Sequence, residues 1–361
     1  MPSLFDPIKI GAIQCPNRIL MAPLTRGRAT REHVPTPIMS QYYAQRASAG
    51  LIISEATGIT QEGLGWPYAP GLWSKEQTQA WKPVTSAVHA QGGRIVAQLW
   101  HMGRTVHPSL NGGKPCVSSS NRPAPGHAHT YDGKQAYTTP RPLTEEDIPS
   151  LLDDYRTAAK NALDAGFDGV QIHAANGYLI DQFLRDGVND RKDRYGGSIE
   201  NRIRLLVEVT KAVAEVVGVE RLGVRLSPNG DSQGCNDSDP VSLFTSAARA
   251  LSDINIAFLE LREPDYNGTF GKADHPPIYP HIRKVFKNTL ILNSDMDGKK
   301  GQDKLDEGHI DAIAFGRTFL ANPDLVERIK EGTPLNKDDM KTWYSQGPEG
   351  YTDYPVAKSN I

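Results

Sequence analysis

The chain has 361 residues and a formal net charge of −2 at pH 7, with 38% hydrophobic and 23% charged residues. That composition is ordinary for globular proteins, and the lack of any basic block argues against nucleic-acid or membrane-surface binding. Three widely spaced cysteines (Cys15, Cys116 and Cys235), no apolar run of transmembrane length and no signal-peptide pattern lead us to expect a cytoplasmic protein without a membrane span.

Apolar strand patterns alternate with amphipathic helix patterns along the chain. Residues 1–17 predict a small hairpin, with Gly11 between Ile10 and Ile13, that closes one end of a barrel. Eight strands are predicted at 18–22, 51–54, 94–99, 169–172, 222–226, 256–261, 289–292 and 312–315. Helices are predicted at 36–46, 74–90, 145–165, 198–217, 239–251, 278–286 and 301–307, with a last helix beginning at Asn322-Pro323. Eight strand–helix units without a linker predict one single-domain (β/α)₈ TIM barrel over residues 1–361, rather than a doubly wound sheet.

Residues 103–143 interrupt this alternation. The segment is rich in Pro, Gly, Ser and His and has no helical period. A long loop inside a compact domain is usually functional, so we predict a lid over the site, with a hairpin of its own. Within it, His127 and His129 have no accompanying Cys or carboxylate, and we predict no metal site. Residues 332–361 are predicted to form a polar C-terminal tail.

The stretch 169–178 is the strongest candidate for chemistry. A short apolar strand is followed at once by three polar groups, His173, Asn176 and Tyr178. Chemistry in parallel α/β proteins lies at the carboxyl ends of strands. A His donor and an Asn amide can bind one oxygen together, and a Tyr can supply a proton from another side. The cluster therefore predicts a site that polarises an electrophile and protonates a carbanion. The alternative is a hydrogen-bonded core histidine followed by a turn-forming Asn.

Further residues at the predicted strand ends should meet at the same barrel mouth. They are Thr25, Ala56, Gln98, Trp100, Arg225, Gly316 and Arg317. Arg225 lies in an otherwise apolar strand, and a buried arginine requires an anion or a strong acceptor. An internal ion pair with Glu260 or Asp295 is the alternative. Gly316-Arg317 follows the eighth strand, where barrels often bind phosphate.

Several motifs together resemble the Old Yellow Enzyme family of flavin-dependent ene-reductases, over essentially the whole chain. The motifs are Met21-Ala-Pro-Leu-Thr25-Arg, Ala97-Gln98-Leu-Trp100-His-x-Gly-Arg104, His173-Ala-Ala-Asn176-Gly-Tyr178, Asn189-x-Arg191-x-Asp193-x-Tyr195-Gly-Gly-Ser198-x-Glu200-Asn201-Arg202 and Tyr351-Thr-Asp-Tyr-Pro355. The resemblance implies a non-covalent FMN cofactor, reduced by NADPH or NADH. It also implies that Pro23, Thr25, Ala56 and Gln98 border the flavin ring, that Arg225 stabilises reduced flavin, and that Gly316 and Arg317 hold the phosphate.

The same resemblance implies the reaction and the substrate contacts. The expected activity is NAD(P)H-dependent reduction of the C=C bond of activated alkenes (enones, maleimides or nitroalkenes), by hydride transfer from flavin N5. His173 and Asn176 would bind the activating oxygen and Tyr178 would protonate the substrate. Tyr68, Trp100 and Tyr351 would form walls of the pocket. We expect a monomer or a homodimer.

One turn departs from the family pattern. Asn293-Ser-Asp295-Met-Asp297-Gly298 follows the seventh strand, where relatives bind the phosphate through a Gly-containing turn. Two carboxylates are unfavourable beside a phosphate unless they point away. Two other functions stay open from the sequence. A barrel lyase or aldolase would need a Schiff-base lysine or a metal at a strand end, and a non-catalytic flavin- or ligand-binding barrel would lack turnover.

Overall fold

The computed structural model describes residues 1–268 and 271–357. Its strands are β1 (Ile8–Ile10), β2 (Ile13–Cys15), β3 (Ile19–Met21), β4 (Ile52–Gly58), β5 (Ile95–Trp100), β6 (Val117–Ser118), β7 (His127–Thr130), β8 (Gly133–Ala136), β9 (Arg141–Pro142), β10 (Gly169–His173), β11 (Leu222–Leu226), β12 (Phe258–Arg262), β13 (Thr289–Asn293) and β14 (Ala312–Phe315). Strands β3, β4, β5 and β10 to β14 pair in parallel and close into a barrel, with β14 returning to β3. These are the eight predicted strands, so the predicted TIM barrel is confirmed.

The helices lie between successive barrel strands. They are α1 (Pro37–Ala44), α2 (Lys75–Ala90), α3 (Ile148–Asp164), α4 (Leu179–Leu184), α5 (Ile199–Arg202), α6 (Arg204–Val217), α7 (Pro240–Ile254), α8 (Tyr279–Arg283), α9 (Gly298–Asp306), α10 (Arg317–Ala321) and α11 (Leu325–Glu331). The predicted helix 198–217 is two helices, because the chain breaks at Ile203. The sequence patterns missed α4 and α10, which have only six and five residues.

Helix capping explains several of the starts. Ser74 Oγ accepts from Gln77 N at 3.1 Å, and Gln77 Oε1 accepts from Ser74 N at 3.1 Å, which forms a capping box at the start of α2. The side chain of Asp239 accepts from Ser242 N at 3.1 Å and begins α7 at Pro240, as predicted.

Alternate residues of the barrel strands face two different apolar layers. Outward side chains pack against the helices. Inward side chains fill the barrel together with Ile10 and Ile13 of the β1–β2 hairpin; they are Leu20, Ala22, Leu51, Ile53, Val96, Phe258, Ile291, Ala312 and Ala314. The backbone N–H of Ala12 donates to Glu220 O, just before β11, so the hairpin closes the amino end of the barrel. At Gly223 a Cβ atom would lie 2.1 Å from the ring of Phe258, so the interior has room only for glycine there.

The segment after β5 folds over the opposite end of the barrel. It contains the antiparallel β7–β8 hairpin, with His127 opposite Ala136, and the short parallel β6–β9 pair. The ring of His129 lies 4.9 Å from that of Trp66, and the Trp66 ring lies 4.9 Å from that of Tyr344. The hairpin predicted within the lid is therefore present, and its His129 side chain packs against Trp66, which in turn contacts the C-terminal segment.

Residues 332–357 are tied to the barrel rather than forming a free tail. Arg26 Nη2 donates to Gly350 O at 2.6 Å, and Arg28 Nη1 donates to Trp343 O at 2.8 Å. Arg46 Nη2 donates to Tyr351 O at 3.4 Å. In the two described ranges, no helix combines the length and the apolar character needed to cross a membrane.

Candidate active site

The carboxyl ends of β3, β4, β5, β10 and β11 surround a chamber of about 100 Å³. Nine residues line it: Pro23, Thr25, Ala56, Gln98, Trp100, His173, Asn176, Tyr178 and Arg225. Each of them was singled out by the sequence, and the parallel strands bring them together because all their carboxyl ends lie on one side of the barrel. A register shift in β4 between Ile53 and Ala56 accompanies the placement of Ala56 in this lining.

His173 presents a neutral imidazole with its N–H toward the chamber. Burial, with help from the charges of Arg225 and Arg262, holds the pKa of His173 well below its usual value. Its Nδ1 accepts from the backbone N–H of Ala175 at 3.4 Å, so the ring proton belongs on Nε2. A neutral donor of this kind can bind an oxygen atom without giving up its proton.

Asn176 is held beside His173 by a strained turn. Its backbone has φ +59°, in the left-handed region, and its N–H donates to Ser227 Oγ at 2.7 Å. The next N–H, of Gly177, donates to Asp181 Oδ2 at 2.8 Å. Asn176 Oδ1 is buried and has no hydrogen-bond partner in the described chain. A buried amide left unsatisfied at a strand end is ready for a ligand.

Tyr178 completes the polar side of the chamber. Its ring meets His173 edge-on at 5.0 Å and Trp100 edge-on at 5.0 Å, and these contacts fix its direction. Burial, the largest cause, raises the pKa of Tyr178 far above its usual value, although Arg225 and Arg262 act in the opposite sense. The phenol is therefore protonated at neutral pH and holds a proton that it can donate.

A larger cavity of about 690 Å³ continues from the chamber, with Pro23, Asn176, Tyr178 and Arg225 common to both linings. Gly316 and Arg317 line it, as does Arg262, which the sequence analysis missed. Burial and the neighbouring Arg225 lower the pKa of Arg262 to about 10. Three guanidinium groups around one cavity favour an anionic ligand.

The acidic turn after β13 is arranged so that neither carboxylate is left unpaired at this end. Asp297 caps α9, its Oδ1 accepting from Lys300 N at 2.9 Å. Asp295 Oδ1 accepts from Arg317 Nη2 at 3.1 Å. Asp297 is therefore engaged at the start of α9, although it also lines the larger cavity, whereas Asp295 pairs with the arginine that was expected to hold a phosphate.

Beneath the chamber, five inward side chains of adjacent strands form a polar layer. Gln98 Nε2 donates to Gln171 Oε1 at 2.7 Å, and Gln171 Nε2 donates to Glu260 Oε2 at 2.7 Å. Glu260 Oε1 accepts from Arg225 Nε at 3.1 Å, and Arg225 Nη2 donates to Asn293 Oδ1 at 2.6 Å. Arg225 thus has the internal carboxylate partner considered as the alternative, and it also lines the chamber.

Two predicted pocket residues lie elsewhere. Tyr351 is fully buried, with its ring stacked on Tyr42 at 4.0 Å and the Arg28 guanidinium 4.6 Å from its centroid. It lines neither of the two cavities, so the prediction of Tyr351 as a pocket wall is corrected; the bonds that anchor the C-terminal segment bury it behind Tyr42. The larger cavity is lined by Tyr344 instead.

Tyr68 packs against the lid hairpin rather than in the lining of either cavity, as far as the described chain extends. Its ring is edge-on to Tyr131, with centroids 5.1 Å apart, and its backbone has φ +57°. The structure therefore places Tyr68 beside the mouth, next to the segment that covers it.

The sequence contained a signal for Gln171, which was missed, and for Glu260, which was considered only as a partner of Arg225. Each is a polar residue inside an apolar strand, which is the reasoning applied to Gln98 and Arg225. Arg262 ends β12 on the inward side, but this follows only once the barrel register is known. Tyr344 lies in the C-terminal segment, where no periodic pattern indicates its position.

FMN fits the two cavities in both shape and charge. The chamber contains buried polar atoms without partners in the described chain, among them Asn176 Oδ1 and Trp100 Nε1, as expected of a ligand site, and its Gln98 and Arg225 side chains suit a ring with a polar edge. The far end of the larger cavity offers the guanidinium groups of Arg262 and Arg317 to a phosphate. No lysine lines either cavity in the described residues, so the Schiff-base lyase has no structural support.

Comparison with known proteins agrees with this geometry. The family model described as NADH:flavin oxidoreductase / NADH oxidase matches residues 3–336. A crystal structure of an old yellow enzyme homologue from Zymomonas mobilis is 62% identical, covers 99% of this chain and 100% of its own, and superposes with a TM-score of 0.98. Morphinone reductase in complex with tetrahydroNAD is 44% identical, with 99% of each chain covered and a TM-score of 0.94. Rice (Oryza sativa subsp. japonica) 12-oxophytodienoate reductase 7 is 41% identical over 372 residues, covering 98% of this chain and 94% of the relative.

The matches extend over the whole barrel, including the strands that carry the chamber residues. They confirm the resemblance drawn from the motifs and the FMN cofactor it implied. The chain therefore belongs to the NADH:flavin oxidoreductase / NADH oxidase family, and it is an oxidoreductase of the Old Yellow Enzyme type that uses FMN and a reduced nicotinamide.

Proposed function

We propose that this enzyme reduces the C=C bond of activated alkenes, such as enones, maleimides and nitroalkenes, in the chamber at the carboxyl ends of the strands. The observation that carries the proposal is the meeting of His173, Asn176 and Tyr178 in one chamber, with the imidazole neutral and the phenol protonated. Two donors for an oxygen and one proton source match the needs of a polarised alkene. Morphinone reductase and 12-oxophytodienoate reductases are among the relatives.

The chain's own residues have distinct roles in this proposal. His173 Nε2–H and the Asn176 amide bind the carbonyl or nitro oxygen and stabilise the negative charge that develops on it. Tyr178 donates its phenolic proton to the α-carbon. Bound FMN supplies the hydride, which it takes from the reduced nicotinamide. Trp100 holds the Tyr178 ring through the edge-on contact and forms one wall.

The remaining lining residues bind the cofactor. Pro23, Thr25, Ala56 and Gln98 border the ring in the chamber, and Arg225 places a positive charge beside it. Gly316 and Arg317 hold the phosphate at the far end of the larger cavity, and Arg262 adds a second guanidinium there. Asp295, which accepts from Arg317 Nη2, lowers the positive charge that Arg317 offers to the phosphate.

NADPH is the proposed reductant, with NADH as the alternative. The lid hairpin supports this choice, because exposed Lys134 lies close enough to His129 to lower the pKa of that imidazole, after burial as the larger cause. Positive charge on a lid is suited to the extra phosphate of NADPH. A cytoplasmic location is also proposed, and three buried, unpaired cysteines fit a reducing compartment.

A visible spectrum of the purified protein tests the proposal. We expect flavin absorption that bleaches when NADPH is added without oxygen and returns when an enone is added, with loss of one equivalent of the alkene. NADH in a parallel sample measures the coenzyme preference. Bleaching by nicotinamide without recovery on any activated alkene would indicate a different oxidant, and a protein that takes up no FMN would contradict the cofactor site.

A further inference from the structure

The polar layer beneath the chamber has a defined direction of hydrogen bonding. It runs from Gln98 through Gln171 to Glu260, which also receives the bond from Arg225. The side chains of Gln171 and Glu260 are fully buried, and those of Gln98 and Arg225 are nearly so. A glutamine amide in such a chain could turn either its oxygen or its NH₂ group toward a given neighbour. A fixed orientation therefore requires a group at one end of the chain that can only accept or only donate.

Glu260 determines the orientation of both amides. Arg225 can only donate, and a carboxylate paired with it can only accept. Gln171 must therefore turn its NH₂ toward Glu260, which leaves its carbonyl oxygen facing Gln98. Gln98 must in turn give its NH₂ to Gln171. Its own carbonyl oxygen is then the group left over, and no protein group in the described chain donates to that oxygen.

We propose that Glu260 is a positioning residue that acts through two amides, fixing Gln98 so that it presents a carbonyl oxygen to the ring in the chamber. The inference rests on the proposed placement of Gln98 beside the flavin ring. The polar edge of a flavin carries one N–H donor between two carbonyl acceptors. A carbonyl oxygen on Gln98 is suited to the donor, and an NH₂ group would meet that N–H as a second donor.

A single substitution should reverse the whole chain. In Glu260→Gln, Arg225 still needs an acceptor, so the new amide turns its oxygen toward the guanidinium and its NH₂ toward Gln171. Gln171 then has to accept from residue 260 and donate to Gln98. Gln98 accepts that bond and points its NH₂ into the chamber. The amides of Gln98 and Gln171 both change direction although the shape of residue 260 is nearly unchanged.

Moving the charge by one residue should restore the original direction. In the double variant Gln171→Glu with Glu260→Gln, the carboxylate at 171 accepts from Gln98 and from the amide at 260. That amide still offers its oxygen to Arg225. Gln98 again presents its carbonyl oxygen, and the total charge equals that of the natural chain. This double variant is therefore the matched control.

The experiment measures binding of FMN and of riboflavin to the apoproteins, with the midpoint potential of the bound FMN. For Glu260→Gln we expect about ten-fold weaker binding of both flavins, as when a buried donor is left unsatisfied. We also expect a more positive potential, since the positive end of an amide then faces the ring. The double variant should return both binding and potential close to the natural values.

The comparison of the two flavins separates reversal of the amides from simple loss of charge. Loss of the Glu260 charge alone would strengthen binding of the anionic FMN and leave the uncharged riboflavin unaffected. That result, or a double variant as impaired as the single one, would overturn the inference. If Glu260→Gln does not fold, the double variant still decides, because failure of a folded double variant to bind FMN contradicts the argument. Absence of FMN binding by the natural chain would instead contradict the proposed function.

Discussion

Two buried polar regions of this molecule contain motif residues, and of these two only the first lines a cavity. The chamber contains His173, Asn176 and Tyr178, and some of its polar atoms have no partner within the described chain. The other region is an arginine–tyrosine cluster formed by Arg26, Arg28, Arg46, Tyr42 and Tyr351. There the guanidinium groups bind backbone carbonyls of the C-terminal segment and of Phe319 and Leu320.

The contrast shows what a family motif does and does not indicate. Arg26 and Tyr351 belong to motifs as specific as the one that contains His173. Their side chains nevertheless serve packing, because the Arg26 guanidinium makes its polar contacts within the protein and the Tyr351 ring is stacked on Tyr42, outside the linings of both cavities. A motif residue is a candidate for chemistry when the fold places its polar atoms at a cavity, and a candidate for structure when the fold packs its side chain away from the cavities.

The largest expected effect lies in the arginine–tyrosine cluster. Tyr351→Ala should lower the free energy of unfolding by about 3–5 kcal/mol, since it removes a fully buried aromatic ring. Urea denaturation measures this. Tyr351→Phe is the control, because the hydroxyl it removes has no hydrogen-bond partner in the described chain, and turnover should be unchanged. A stable Tyr351→Ala variant with a raised KM for enones would restore Tyr351 as a pocket wall.

In the chamber, His173→Ala should lower kcat/KM for enone reduction by about 100- to 1,000-fold, because one donor to the developing oxyanion is lost. Steady-state kinetics measure the change. The stability should change much less than in Tyr351→Ala, which separates the two regions. Near-normal enone turnover by a folded, FMN-loaded variant would contradict the proposed role of His173 as a donor to the substrate oxygen.

Tyr178→Phe should slow reduction of the enone by about 100-fold, since the proton source is removed while the ring contacts are kept. Rapid mixing of the variant with NADPH should show an unchanged rate of flavin bleaching. If both half-reactions slow together, Tyr178 has a role other than proton donation.

At the phosphate end, Asp295→Asn should tighten FMN binding by about two- to five-fold. The Arg317 and Asp295 side chains are 30% and 33% exposed, so the ion pair contributes little to stability, and its removal takes one negative charge from beside the phosphate at little cost. Titration of the apoprotein measures the change, with riboflavin as the control that should bind as before. Weaker FMN binding would mean that Asp295 supports the site rather than competing with the phosphate.

The smallest expected effect is the absence of a pH dependence. Because the pKa of His173 is depressed, its imidazole is neutral at every pH at or above the usual histidine pKa. Because the pKa of Tyr178 is raised, its phenol stays protonated at every pH below the usual tyrosine pKa. The rate of enone reduction by pre-reduced enzyme should therefore be flat between about pH 7 and 9. A rate that falls as the pH rises through this range would show that Tyr178 or another chamber group titrates there.

The sequence predicted the barrel and the chamber residues because both follow from local patterns. Each strand is a short apolar run, and parallel strands place every residue that follows them at one mouth. The break at Ile203 was not predicted, since the apolar period continues through it. Tyr351 could not be placed, because its position depends on bonds from Arg26, Arg28 and Arg46, which lie some 300 residues away in the chain. The direction of the Gln98 amide could not be predicted either, because it depends on Gln171, Glu260 and Arg225, which lie on three other strands of the barrel.

The bonds that anchor residues 343–351 also bear on which changes the chain tolerates there. Arg26 and Arg28 donate to the backbone carbonyl oxygens of Trp343, Gly350 and Glu349. Every amino acid has a backbone carbonyl oxygen. Many substitutions in this segment should therefore be accepted as long as the backbone keeps its path. Deletion is different, because it would remove most of the acceptors of two buried guanidinium groups. The segment should therefore tolerate point substitutions but not truncation. Its length matters more to the structure than the identity of its amino acids.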